Sequence, residues 1–156
     1  MKILAINPGS TSTKIGVFHD EELVMHSTIR HTPETLSRFT DVMAQFNYRR
    51  QLVIDTLDEE HIPFDFDVIV GRGGLLKPIE GGVYEINELL LSETRNAMYH
   101  HACNLGCLIA ADLASRLPHC HALMADPGVV DELEDIARIS GSPLIPSSTL
   151  WPALNQ

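Results

Sequence analysis

The densest set of reactive groups lies near the start, in Asn7-Pro8-Gly9-Ser10-Thr11-Ser12-Thr13-Lys14. It places four hydroxyls, an amide and an ammonium in and around a Pro-Gly turn. Backbone N–H groups and hydroxyls of such a turn can converge on phosphate oxygens, and a lysine supplies charge. The GxxxxGK[ST] spacing of a Walker loop is absent. The same segment reads equally as a Ser/Thr-rich hairpin with no ligand. Asp126 stands where an apolar run gives way to a pattern opened by Pro127. Such strand-to-helix junctions are where α/β proteins place ligand-facing groups, although a plain helix N-cap explains an Asp-Pro pair too. His100, Cys103, Cys107, His119, Cys120 and His121 invite a zinc reading, but no CxxC pair or closed ligand spacing occurs. Small buried hydrophobes account for the cysteines more simply.

The elements that must position these groups follow from periodicity. Residues 2–7 and 13–18 are apolar runs separated by the Pro-Gly turn, and 23–28 is a third after Asp20-Glu21. Their close spacing predicts an antiparallel meander. Phe39, Val42, Met43, Phe46, Val53, Ile54 and Leu57 recur at helical spacing and predict one or two helices, ended by Pro63. Residues 67–71 form a short continuous apolar run, the pattern of a covered strand. GRGGLLKPIEGG then reads mostly as loop, with a short strand at best over 83–86. Leu105, Leu108, Ile109, Leu113 and Leu117 make one helix face, beside which Gly106, Ala110 and Ala114 would let the helix lie close on a sheet. Residues 121–125 read as a strand. Asp126-Pro127 predicts a helix start, with Val129, Val130, Leu133, Ile136 and Ala137 as its stripe. A Ser/Gly/Pro-rich segment from 140 to 146 reads as loop or linker. Strands followed by helix-strand alternation predict an α/β layered domain.

The chain has 156 residues, is 44% hydrophobic, and carries 11 basic against 21 acidic residues for a net charge of −10. That is enough apolar material for one sizeable core. The acidic balance argues against sequence-independent nucleic-acid binding and leaves a local nucleotide pocket open. No export signal and no membrane-length apolar stretch are seen, and three cysteines cannot all pair within one chain. The expectation is a reduced, cytoplasmic protein with no membrane or nucleic-acid partner.

INPGSTSTKIGVF resembles the opening phosphate motif of the acetate and sugar kinase, Hsc70 and actin superfamily, in its butyrate kinase version. The resemblance continues through GRGGLLKPIEGGVYEIN, HACNLG, ADPGVVDELEDIARISGSP and ALNQ, in order, over essentially the whole chain. It implies a ribonuclease H-like (actin-like ATPase) domain with a mixed five-stranded sheet flanked by helices. Residues 1–146 would form an amino-terminal domain and 147–156 the start of an interdomain segment, the chain ending before the second domain. The implied activity is ATP- and Mg2+-dependent phosphorylation of butyrate, or a branched-chain acid, to an acyl phosphate, in a homo-oligomer. The polypeptide alone would be inactive for want of the adenosine-binding half; the alternative is a non-catalytic anion- or partner-binding module of the same fold.

The resemblance also implies roles. Asn7, Ser10, Ser12 and Lys14 would line the phosphate and metal end, with Asn7 and Asp126 near Mg2+. Arg72 would grip the substrate carboxylate, for which a guanidinium fork is suited. Gly73 and Gly74 would let substrate approach the backbone. His101 would stabilise the transferring phosphoryl oxygens, with His100 its immediate competitor. Two positions depart from the family pattern: Ser147 stands where an Arg is expected, and Pro152 where a phosphate-binding His is expected.

Overall fold

The computed structural model describes residues 1–145, so Ser147, Pro152 and the 147–156 segment lie outside the described residues. Strands β1 (Lys2–Pro8), β2 (Ser12–His19) and β3 (Glu22–Arg30) form the expected antiparallel meander. Asp20 turns the β2–β3 hairpin at φ 54°, a left-handed conformation that a short polar residue tolerates. A short helix α1 (Pro33–Leu36), a 3-10 turn (Met43–Gln45) and the long α2 (Phe46–Glu59) follow. The last of these ends where His61 takes φ 56° and Ile62 N–H reaches back to the Leu57 carbonyl at 2.8 Å. That closure satisfies carbonyls the helix would otherwise leave bare.

Strand β4 (Val68–Arg72) lies parallel to β1, and β6 (His121–Ala125) lies parallel to β4. The edge strand β5 (Val83–Glu85) runs antiparallel to β6. The sheet therefore has six strands in the order β3-β2-β1-β4-β6-β5, one more than the five expected. Three residues at 83–85 are enough to add that edge.

Helices α3 (Glu88–Arg95) and α4 (Asn104–Ala114) complete the layer. Among the described residues, α4 packs across β1, β4 and β6, while α2 and α3 pack on α4. Alternate residues of the strands, Leu4, Ile6, Ile15, Val17 and Ile69, meet Val53, Leu57, Leu105, Ile109 and Leu113 in one core. The close seating of α4 rests on two glycines. A Cβ on Gly71 would strike the Gly106 carbonyl, and one on Gly106 would strike the Arg72 carbonyl.

The helix expected after Asp126 does not form. Residues 127–134 run irregularly, and only a 3-10 turn (Asp135–Arg138) appears. Asp126 sits at φ 41°, whereas a helix N-cap needs an extended backbone. Its N–H donates to the Gly82 carbonyl at 3.0 Å, and Gly128 N–H donates to Gly74 carbonyl at 3.1 Å. The first N–H groups of a helix have no internal partner in any case. The groups a helix would need are taken by Ile79, whose carbonyl accepts from Asp131 N–H at 2.9 Å and whose N–H donates to the Val129 carbonyl at 3.4 Å. Val129 and Val130 are still buried, Val130 bridging Ile79.

Candidate active site

The alternation of a strand sends every second side chain to the face opposite the core. On that face, Asn7 at the end of β1 pairs in register with Lys14 on β2. Arg72, at the end of β4, pairs with Ala125, and Asp126 follows directly. These four side chains come together on one cleft of about 620 Å³, at the carboxyl ends of the parallel strands. Ala5, Val70, Ala125, Phe18 and Leu23 also line it. The cleft therefore joins an apolar floor to a polar rim.

Among the described residues, neither Arg72 nor Lys14 has a side-chain hydrogen bond or ion pair with protein. Two cations facing a shared cleft without internal partners are disposed to hold anions. Asp126 is anchored: its Oδ1 accepts from Gly82 N–H at 3.2 Å. One carboxylate and the Asn7 amide supply hard oxygen donors beside a phosphate-sized space. That donor set fits Mg2+, which takes few protein ligands and fills its octahedron with water and phosphate oxygens. No cluster of three or more His, Cys, Asp or Glu suited to a metal occurs among the described residues, so the zinc reading gains nothing.

Ser10 in the β1–β2 turn, Ser12 at the start of β2 and His101 just before α4 do not line this cleft. Gly9 N–H donates to the Ser12 carbonyl at 2.7 Å, closing the turn. His101 Nε2 lies 3.0 Å from Ser10 Oγ. The tautomer follows from the other ring nitrogen. Nδ1 accepts from Cys103 N–H at 3.3 Å and faces the Cys103 thiol at 3.1 Å. Burial pushes that thiol above its ordinary value, so it stays a donor. The proton of His101 therefore sits on Nε2 and is donated to Ser10, leaving the Ser10 O–H free to point outward. His100 is occupied elsewhere, 3.2 Å from the Arg95 carbonyl at the end of α3.

Gly73 and Gly74 are both buried. A Cβ on Gly73 would meet Pro127, and one on Gly74 would meet Asn104. Protein fills the space their missing side chains leave, so packing rather than an approaching substrate requires glycine there.

Two positioning groups escaped the sequence reading. Asn104, fully buried at the start of α4, accepts on Oδ1 from Leu75 N–H at 3.1 Å and from His101 N–H at 3.3 Å. It ties the Arg72 loop to the His101 segment. Arg49 on α2, also fully buried, reaches under the β1–β2 turn: its NH1 donates to the Gly9 carbonyl at 2.8 Å. Beside it, His31 Nε2 lies 2.9 Å from Thr13 Oγ1, and Nδ1 lies 3.3 Å from the Tyr48 hydroxyl. Burial, and secondarily the Arg49 charge, hold His31 down to about 4. Asn104 sits inside the quoted HACNLG block, but an Arg on a helix stripe carries no sequence signal of such a contact.

No protein-family model matches the sequence. The chain is 60% identical over 156 residues to a probable butyrate kinase of Bacteroides thetaiotaomicron, covering 100% of this chain and 44% of that protein. It is 43% identical over 157 residues to butyrate kinase 2 of Clostridium acetobutylicum, covering 99% of this chain and 44% of that protein. The structure resembles the acetate kinase of Entamoeba histolytica, with a TM-score of 0.59 at 19% identity over 92% of this chain and 39% of that one. It also resembles the acetate kinase of Porphyromonas gingivalis, with a TM-score of 0.58 at 12% identity over 91% of this chain and 41% of that one. These likenesses give the fold, an actin-like ATPase domain. Along its whole length the chain is similar to butyrate kinases, and it spans 44% of the length of the curated relatives it matches.

Proposed function

We propose that these residues supply the acid-binding and phosphate-binding side of a kinase that transfers the γ-phosphoryl group of ATP to butyrate or a similar short-chain acid. The relatives are more than twice as long, so the activity is proposed for the whole protein to which these residues belong. The observation that carries the reading is the Arg72 guanidinium, unpaired among the described residues, at the edge of an apolar-floored cleft shared with Lys14, Asn7 and Asp126. The fork of Arg72 takes the carboxylate, and the floor takes a short alkyl chain. Lys14, Ser10 and the turn N–H groups hold phosphoryl oxygens, with His101 fixing the Ser10 hydroxyl. The carboxylate oxygen attacks phosphorus, the bond to the β-phosphate oxygen breaks, and ADP leaves with the electron pair. No proton transfer is needed, because the acid reacts as its carboxylate. When bound, Mg2+ supplies charge neutralisation on the phosphates, held through Asp126 and Asn7.

The test is a butyrate titration followed by NMR of the methyl groups of Val70 and Ala125 and of the Arg72 side chain. Saturable shifts at all three, lost in Arg72→Gln, are expected, with acetate binding more weakly for want of alkyl burial. Shifts that persist in Arg72→Gln, or none at these residues, would overturn the assignment. Turnover by the 156-residue polypeptide alone, read by hydroxylamine trapping of acyl phosphate, is expected to be negligible.

A further inference from the structure

Arg49 is fully buried, yet among the described residues it pairs with no carboxylate. Its partners are all neutral acceptors. Nε donates to Gln45 Oε1 at 2.9 Å, and NH1 donates to the carbonyls of Gly9 at 2.8 Å and Ser12 at 3.2 Å and to Thr13 Oγ1 at 3.1 Å. NH2 donates to the Ser10 carbonyl at 3.3 Å. A buried charge left without a counter-ion is costly, which makes its placement informative.

A trans peptide points its C=O and the following N–H in opposite directions. Drawing the Gly9 and Ser10 carbonyls inward onto Arg49 therefore turns the N–H groups of Ser10 and Thr11 outward. Neither of those two N–H groups finds a backbone acceptor among the turn and loop contacts. Both residues are exposed, on the rim beside Ser10 Oγ and His101. Neighbouring outward N–H groups make an anion-binding concavity.

We propose that Arg49 is a positioning residue for phosphate: its guanidinium clamps three turn carbonyls so that the Ser10 and Thr11 amides face the phosphoryl oxygens, and its unpaired charge is answered by the bound phosphate. This rests on the phosphate turn of the proposed function. His31 and Thr13 complete the device from behind. Thr13 Oγ1 accepts from Arg49, so its own proton is donated to His31 Nε2, and His31 Nδ1–H is donated to Tyr48. Tyr48 and Arg49 are adjacent on α2, so one helix holds both ends of the chain of hydrogen bonds.

The experiment is calorimetric titration of the 156-residue chain with pyrophosphate and, separately, with butyrate, alongside amide shifts of Ser10 and Thr11. Arg49→Lys keeps the charge and loses the fork. It is expected to bind pyrophosphate at least about tenfold more weakly, with the Ser10 and Thr11 amide responses lost and butyrate affinity at Arg72 unchanged. Gln45→Leu, which removes only the Nε anchor, guards against a variant that fails to fold. It is expected to show the same selective loss at about threefold. Wild-type amide responses with undiminished pyrophosphate binding in both variants would overturn the role of Arg49 and leave the phosphate turn standing. Equal losses for pyrophosphate and butyrate would show general destabilisation and overturn it too. No pyrophosphate response in the wild-type amides would remove the phosphate turn itself, and this proposal with it.

Discussion

Gly71 on β4 and Gly106 on α4 touch backbone to backbone, and a Cβ at either position would overlap the other strand-helix partner's main chain. The contact sits one residue from Arg72, so the same pair that seats α4 on the sheet sets the height of the arginine proposed to bind the carboxylate. Gly106→Ala gains a little helix propensity, but the clash is with the fixed Arg72 carbonyl rather than with a yielding side chain. Overpacking of this kind costs about 1–3 kcal/mol, and here the upper end is expected. Urea unfolding should show it as a lowered midpoint, and butyrate affinity should fall in the same variant because Arg72 moves. A midpoint equal to wild type would mean that α4 is free to retreat.

The Ser10–His101 contact makes a different kind of prediction. His101 is exposed, so His101→Ala should leave the unfolding midpoint within about 0.5 kcal/mol of wild type. What it removes is the donor that orients the Ser10 hydroxyl at 3.0 Å. One such hydrogen bond is worth about 1 kcal/mol, so pyrophosphate should bind roughly five times more weakly. His100→Ala is the control, and it should leave pyrophosphate binding alone. If the two alanine variants exchange effects, His100 is the residue that faces the phosphate.

Much of this arrangement was legible from residue order. The meander, the α4 stripe with Gly106, Ala110 and Ala114, and the strands at β4 and β6 all follow from period and turn residues, because burial on one face dictates them. Two errors have physical causes. The stripe from Val129 to Ala137 has helical spacing, yet Ile79 takes the Val129 carbonyl and the Asp131 N–H that a helix would need, and a tertiary contact overrides a local pattern. Helix α3 was missed because its one buried residue is Thr94, while Leu89 is exposed. The Asn87 side chain that caps it, accepting from Leu90 N–H at 2.9 Å, was the available signal. In the site, Asn7, Lys14, Arg72 and Asp126 could be nominated from motif order, but not the Arg49 clamp, whose meaning appears only when α2 is laid under the turn.

His31 gives the fold a pH dependence whose sign is fixed. Its folded-state value is about 4, against an ordinary 6.5. Between these values the unfolded chain binds more protons, so stability is fully present above about 6.5 and is lost as pH falls towards about 4. Burial is the main cause and the Arg49 charge the second, and by about pH 4.8 the loss should amount to roughly 2 kcal/mol. The carboxyls of Asp41 and Asp131, held below their ordinary value by a backbone N–H and by Arg138 respectively, lose their contributions at lower pH still. Urea midpoints at pH 7.5 and 4.8 should therefore differ for wild type, and the difference should shrink in His31→Gln, whose amide oxygen can still accept from Thr13. An undiminished difference in the variant would place the pH dependence elsewhere.

Asp126 separates a metal-holding role from a structural one. Its backbone is left-handed at φ 41°, a conformation that Asn tolerates as readily as Asp. Its Oδ1 accepts from Gly82 N–H at 3.2 Å, a contact that an Asn side-chain oxygen reproduces. Asp126→Asn should therefore leave the unfolding midpoint within about 0.5 kcal/mol of wild type, since neither fold nor hydrogen bond changes. What disappears is the negative charge at the cleft. If that charge holds Mg2+ against phosphate oxygens, wild-type binding of pyrophosphate should tighten when Mg2+ is added and relax when EDTA removes it. The Asn variant should bind with the relaxed affinity in both conditions, because an amide is a far weaker Mg2+ ligand than a carboxylate. Asp126→Gly, which also suits the left-handed backbone, should behave like Asn towards Mg2+ while losing the Gly82 contact. A Mg2+ effect that survives in both variants would move the metal to other ligands, and a large stability loss in Asp126→Asn would make the carboxylate a structural group.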